Sequence, residues 1–275
     1  MQNINQQKTI EFYNKWLLTA RDKQITPSGE WNVWLILAGR GWGKTRTGAS
    51  DIVLYALRNP ESQCAVIAPT IGDLRRVCFE GVSGIIKQIP NECFKDGSPK
   101  SYNKSTSEVL LSNGSKIMGF SASEPDRLRG SQYHRAWCDE LAAWRYPDAY
   151  DQLLFGLRLG KNPQVVITTT PRPTTLVRDL FKRKHKDVYV TQGNTFENED
   201  NLAQTALDSF KDLYEGTRLG RQELYAEILE DVEGALWSHF QLEKCRIKKE
   251  EIPELRRIVV AIDPAVTSNA NSDET

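Results

Sequence analysis

The chain has 275 residues, of which 39% are hydrophobic and 26% charged, an ordinary globular composition that excludes a mainly disordered or fibrous protein. Its 36 Lys and Arg balance 36 Asp and Glu, so it is not a globally basic nucleic-acid binder, although a local basic face or a ring that focuses charge stays compatible with that partner. No apolar run approaches the ~18 residues of a membrane span. The opening MQNINQQKTI also lacks the basic and apolar parts of a secretory signal, and both observations point to a cytoplasmic protein with no membrane partner. Cys64, Cys78, Cys93, Cys138 and Cys245 form no CxxC pair and read as reduced, mostly buried thiols.

In chain order, Ile10, Tyr13, Trp16, Leu17 and Ala20 recur at helical spacing over residues 8–20. Trp31 to Leu37 is a short, nearly continuous apolar run, the pattern of a strand buried on both faces. A glycine-rich turn and a helix from Lys44 to Arg58 follow, stopped by Asn59-Pro60. Gln63 to Ala68 predicts a second buried strand and Ile71 to Gln88 a helix. Residues 91–106 read as loop. Asn113-Gly114 between Glu108–Leu111 and Lys116–Phe120 is a hairpin signal. Tyr133 to Cys138, Gln164 to Thr169 and Val188 to Thr191 predict strands; Thr174 to Lys184 and Leu202 to Tyr214 predict helices, and Arg218 to Leu229 is amphipathic. Strands alternating with helices over residues 31–185 imply an α/β fold with a mostly parallel sheet and flanking helices. Residues 241–257 are mostly charged and suit a linker; Ile258 to Ile262, closed by Asp263-Pro264, reads as the first strand of a further unit.

The segment Gly39-Arg40-Gly41-Trp42-Gly43-Lys44-Thr45 joins a buried strand to a helix. Glycines let backbone N–H groups close around phosphate oxygens, and the helix N-terminus adds positive potential. Lys44 would reach the β- and γ-phosphates of a nucleotide, and the Thr45 hydroxyl would ligate Mg²⁺. The usual pattern has glycine where this chain has Ala38. Asp139 and Glu140 follow the strand that ends at Cys138, at the sheet edge where ligands of open α/β sheets bind. There Asp139 would hold the metal and Glu140 would deprotonate an attacking water, which predicts hydrolysis. Arg129 stands ten residues before Asp139 and could offset transition-state charge, though spacing alone does not separate it from Arg127. Thr168, Thr169 and Thr170 place hydroxyls at another strand end. Arg178, Lys182, Arg183, Lys184, His185 and Lys186 read either as a phosphate-tracking patch or, preferably, as a solvated helix end.

Together the stretches 34–49, 124–160, 165–174, 193–203, 214–237 and 256–266 resemble the large subunit of phage terminases, the motors that package DNA into capsids, and most closely a prophage and gene-transfer-agent-like branch. The resemblance implies a P-loop ATPase domain of the additional-strand, conserved-glutamate class over residues 1–213. A linker subdomain over 214–256 and the start of an RNase H-like nuclease over 257–275 would follow. It implies ATP and Mg²⁺ as ligands and double-stranded DNA, a portal protein and a small terminase subunit as partners. A monomer when free, the chain would form a homo-oligomeric ring on the portal. Lys44 and Thr45 match the Walker A lysine and metal-binding hydroxyl, and Arg40 the Walker A arginine. Asp139 matches Walker B and Glu140 the catalytic glutamate; Thr169 and Thr170 match the coupling motif, and Arg129 a trans-acting finger. Asp263 matches the first nuclease metal ligand. Two-metal cleavage needs several convergent carboxylates, so no nuclease activity is expected of this chain, read as a fragment or part of a split gene. Two other readings stay open: a helicase-like ATPase, and a remnant that binds nucleotide or partners without turnover.

Overall fold

The computed structural model describes residues 2–229 and residue 245, and its contacts group the chain up to Leu229 into one unit. The expected nuclease strand, Asp263 and most of the expected linker lie outside the described residues. Helix α1 (Gln2–Thr19) leads to β1 (Val33–Ala38), α2 (Lys44–Arg58) and β2 (Gln63–Ala68). Then come α3 (Ile71–Asp73), α4 (Ile85–Gln88), the short β3 (Tyr102–Asn103), and the hairpin of β4 (Glu108–Leu110) and β5 (Lys116–Ser121). The chain continues through β6 (Arg135–Asp139), α5 (Asp148–Gly156), β7 (Gln164–Thr169), α6 (Thr175–Lys182), β8 (Val188–Gly193), α7 (Gln204–Tyr214) and α8 (Arg218–Glu223).

One eight-stranded sheet has the order β3-β4-β5-β2-β6-β7-β1-β8. The run from β5 to β8 is parallel, and only the β3-β4-β5 ribbon is antiparallel. The apolar runs are continuous because helices and loops cover both faces of the parallel part. Leu35, Leu37, Ile67, Ala136, Cys138 and Ile167 fill one core layer, while Val66, Ala68 and Trp137 pack with Ala49, Ile52 and Val53 of α2 on the other face. Among the described residues no helix is long and apolar enough to cross a membrane.

Two expectations need correction. The single helix over residues 71–88 is broken: α3 passes into a π-helical turn at Leu74–Phe79, and only Ile85–Gln88 resumes as helix. Gly81 and Gly84 stand at the break, where an added Cβ would lie 2.5 Å from the Val77 and 2.6 Å from the Phe79 carbonyl oxygen; the chain folds back over its own turn there. The loop read over 91–106 contains β3, whose two residues carry too little pattern to show. Helix α5 likewise has no counterpart in the sequence reading.

A buried ion pair ties the sheet to α2. Arg135 at the start of β6 donates from Nη2 and Nε to the Asp51 carboxylate at 2.6 and 2.9 Å, and both side chains are 4% exposed. The guanidinium also lies 4.7 Å from the centre of the Trp31 ring. Losing either partner alone would strand a buried charge, at a cost of about 3–5 kcal/mol. The pair therefore fixes how α2 and its N-terminal loop sit on the Asp139 strand.

Candidate nucleotide-binding and catalytic site

The loop from Gly39 to Gly43 leaves the C-terminal end of β1 and turns directly into α2. Gly43 closes it with φ of 103°, a left-handed conformation that a side chain would strain. Its carbonyl accepts from the Thr47 hydroxyl at 3.0 Å, so the first turn of α2 is set with its free N–H groups facing the loop. Thr45, the second residue of α2, is half-buried beside it. The Trp42 indole is fully buried and donates to Glu197 at 3.0 Å. Gly39, Gly41, Gly43, Lys44 and Thr45 line a cleft of about 530 Å³, with Arg21 and Arg76 among the cations on its wall.

Sheet order brings the second half of the site to this loop. Strand β7 lies between β1 and β6, so its end stands between the loop and the Asp139-Glu140 pair. It is the additional strand of the expected class. In register, Thr168 is opposite Asp139 and Thr169 opposite Leu37. Each threonine hydroxyl takes a different task. Thr168 donates to Asp139 Oδ1 at 2.8 Å. Thr169 accepts from the Ala142 N–H at 3.1 Å, and Thr170 bonds Lys44 Nζ at 2.9 Å.

Lys44, 9% exposed, also donates to the carbonyls of Ala38 and Gly39 at 3.0 and 3.3 Å and stands 3.4 Å from Glu140 Oε1. Glu140 has φ 46° and ψ 48°. A non-glycine residue in that region costs about 1–3 kcal/mol and persists only where its surroundings hold it. Here the Thr170 N–H donates to Glu140 Oε2 at 3.0 Å. The strained turn places the carboxylate 3.4 Å from Lys44.

Asp139 is buried, and its carboxyl is pushed up to about 7, first by burial and then by the neighbouring Glu140 charge, against the pull of Thr168, Lys44 and Cys78. Its two oxygens meet neutral partners, the Thr168 hydroxyl and, at 3.6 Å, the Cys78 thiol. The buried Asp139 carboxylate and the half-buried Thr45 hydroxyl at the start of α2 are hard oxygen ligands. They fit Mg²⁺, which keeps water and phosphate oxygens in its shell and needs one or two protein ligands. Asp139 and Thr45 would hold the ion. Because the folded-state value lies above the ordinary 3.8, ionisation opposes folding. The contribution of protonated Asp139 to the stability of the metal-free protein is full below about pH 4 and is lost as pH rises through about 7. Melting curves at pH 5 and pH 8 should therefore show a larger drop for the wild type than for Asp139→Asn, whose side chain does not titrate.

Other predicted residues lie apart. Arg40 is anchored away from the loop interior: its Nε meets Glu223 Oε2 at 2.6 Å and its N–H donates to the Glu223 carbonyl at 2.8 Å. Arg129 follows the turn Pro125–Leu128, is 66% exposed, and pairs with Asp126 at 3.1 Å. Arg127 is equally exposed to solvent and pairs with Glu124. The basic run precedes β8, at the sheet edge opposite the cleft. Lys182 pairs with Asp179 at 3.4 Å and Arg183 with Asp187 at 3.0 Å, local pairing that suits a solvated helix end. Sequence reasoning missed Arg21, Asn198 and Glu223. Arg21 donates to the Trp42 carbonyl and to Asn198 Oδ1, and Asn198 donates to the Gly41 carbonyl at 2.7 Å. Asn198 and Glu223 lie in stretches that carry the family resemblance, but no local pattern gives any of the three a role; tertiary folding brings them to the loop.

A glycine-rich loop between a strand and a helix, an acidic pair two strands away and an additional strand between them define the P-loop NTPase fold of the additional-strand, conserved-glutamate class. Residues 35–244 match the family model for the terminase large subunit, T4likevirus-type, N-terminal, so the chain belongs to the terminase large subunit family. Among solved structures it is similar to the large terminase ATPase domain of Thermus phage P74-26, with TM-score 0.64, 18% identity, and coverage of 80% of this chain and 98% of that one. It is also similar to the large terminase of a second, thermophilic bacteriophage, with TM-score 0.57, 15% identity, and coverage of 81% of this chain and 53% of that one. That second terminase in complex with ADP gives TM-score 0.58 at 14% identity, covering 81% of this chain and 53% of that one. The chain thus spans about half the length of the second terminase, and at these identities the likeness is one of fold. No curated protein matches the chain.

Proposed function

We propose that this chain is the ATP-hydrolysing motor unit of a DNA-packaging terminase. The observation that carries the reading is the convergence of Thr170 and Glu140 on Lys44 of the glycine-rich loop, with Asp139 held beside them by Thr168 of the same strand end. ATP would lie with its phosphates against the loop and the first turn of α2. Lys44 exchanges its carbonyl and Thr170 partners for β- and γ-phosphate oxygens, which leaves Glu140 free to accept a proton from the attacking water. Mg²⁺, when bound by Asp139 and Thr45, supplies Lewis-acid neutralisation of phosphate charge. Because Thr170 bonds both Lys44 and Glu140, through its hydroxyl and its N–H respectively, phosphate entry and loss are felt directly at the end of β7. That strand end is the proposed coupling point, with Thr169 holding the backbone after Glu140 through Ala142. Arg129 acts on a neighbouring subunit in a ring assembled on a portal protein. Duplex DNA is the polymer moved, and a small terminase subunit delivers it.

The test is ATP hydrolysis over a protein concentration series, with and without Mg²⁺ and linear duplex DNA. The expected result is Mg²⁺-dependent hydrolysis that rises more than linearly with concentration and proceeds without strand separation. Strand separation would favour a helicase-like ATPase. Tight nucleotide binding with no turnover, even with portal and DNA present, would overturn the motor reading in favour of a nucleotide-binding remnant.

A further inference from the structure

The fully buried Trp137 is not used by the chemistry above, yet its indole is joined to the metal-binding end of the sheet. Trp137 and Asp139 are two residues apart on β6 and so share one face, and Thr168 on β7 stands opposite Asp139 on that same face. Trp137 Nε1 donates to the Thr168 hydroxyl oxygen at 2.7 Å, and that hydroxyl stands 2.8 Å from Asp139 Oδ1. An indole N–H can only donate, whereas a hydroxyl carries one hydrogen and two acceptor sites. The indole therefore fixes Thr168 as acceptor on one side and sends its single hydrogen outward. Two oxygens compete for that hydrogen: the Asp139 carboxylate at 2.8 Å and the Cys138 carbonyl at 3.4 Å. The nearer one wins, and the indole dipole strengthens the bond further along the chain. The indole is itself clamped by α2. A Cβ on Gly48 would stand 2.2 Å from its Nε1, so the helix that opens at Lys44 lies directly on the ring.

We propose that Trp137 is a positioning residue that holds the Asp139 carboxylate, through Thr168, in the orientation needed to receive Mg²⁺ with nucleotide. The inference rests on the proposed nucleotide site. Without the indole donor the Thr168 hydroxyl is free to turn to the Cys138 carbonyl, and Asp139 Oδ1 loses its one strong partner.

The experiment is binding of a fluorescent MANT-ADP to the full chain in EDTA and across a Mg²⁺ titration, for wild type, Trp137→Phe, Thr168→Val, Thr168→Ser and the Trp137→Phe/Thr168→Val double variant. Expected are EDTA affinities within about two-fold of wild type throughout, and a Mg²⁺ midpoint raised roughly 3–10-fold in Trp137→Phe and Thr168→Val, the change that loss of one hydrogen bond of about 1 kcal/mol produces. Thr168→Ser should stay near wild type, and the double variant should be no worse than Thr168→Val, because both changes break one chain. Effects that add, or a Trp137→Phe midpoint equal to that of the wild type, would overturn the proposal, as would weakening that is the same with and without Mg²⁺. Should Trp137→Phe fail to fold, the split between Thr168→Ser and Thr168→Val decides: equal midpoints sink the proposal. If wild type itself shows no Mg²⁺-dependent binding, the nucleotide site is wrong as well, so the two failures are distinct.

Discussion

Replacing Glu140 by Gln should lower ATP turnover about 10²–10⁴-fold, the contribution of a positioned general base, while nucleotide affinity changes less than about three-fold. The geometry separates the two quantities. The amide keeps an oxygen to accept the Thr170 N–H, now at 3.0 Å from Glu140 Oε2, so the turn that holds φ at 46° retains its support. What the substitution removes is the basic oxygen and the attraction to Lys44 at 3.4 Å. Losing that attraction releases Lys44 toward phosphate and does not weaken binding. Single-turnover hydrolysis beside nucleotide binding checks this. Turnover near the wild-type rate would show that another group, or solvent alone, accepts the proton.

Much of this was legible from residue order, for reasons that particular residues show. Val33 to Ala38 are all buried, and burial on both faces is what makes a strand read as one apolar run. The loop was legible because its chemistry is local: glycines, lysine and hydroxyl must follow one another to wrap a phosphate. What could not be read was order across the sheet. Nothing in Gln164 to Thr169 says that this strand inserts between β1 and β6, yet the insertion is why Thr168 meets Asp139 while Thr170 meets Lys44. Sequence reading grouped Thr169 and Thr170 as coupling residues and left Thr168 without a role of its own; pleat and register give the three hydroxyls three partners. Glu223 illustrates the same limit. It lies 183 residues from Arg40 in a helix whose own pattern says only that one face is apolar. The helix over 71–88 failed for a different reason, since periodicity ignores a glycine that lets the chain close on its preceding turn.

Arg129→Ala should abolish hydrolysis by the assembled ring, by about 10³–10⁵-fold, the worth of an arginine finger, with little loss of stability. The turn that carries Arg129 leaves the end of β5, and β5 is four strand positions from β1 in the order β5-β2-β6-β7-β1. At about 4.8 Å per position the strand that leads into this turn stands roughly 19 Å from β1. Arg129 is absent from the wall of the cleft, and its pairing with Asp126 is exposed on both sides, so it contributes little to the fold. Leu128 beside it is fully buried and holds the turn in place whichever residue follows. A finger that completes a neighbour's site makes a sharp prediction for mixtures. Arg129→Ala keeps its base and lacks its finger, and Glu140→Gln keeps its finger and lacks its base. Each alone should be inactive on the portal, whereas a mixture should recover hydrolysis at interfaces where an intact Arg129 faces an intact Glu140. Arg127→Ala, altering an equally exposed arginine two residues away, should retain activity. Recovery in the mixture with Arg127→Ala active would assign the finger to Arg129 across the subunit boundary. A silent mixture of correctly assembled rings would place the missing charge within one subunit and would require the 125–131 turn to move toward its own cleft.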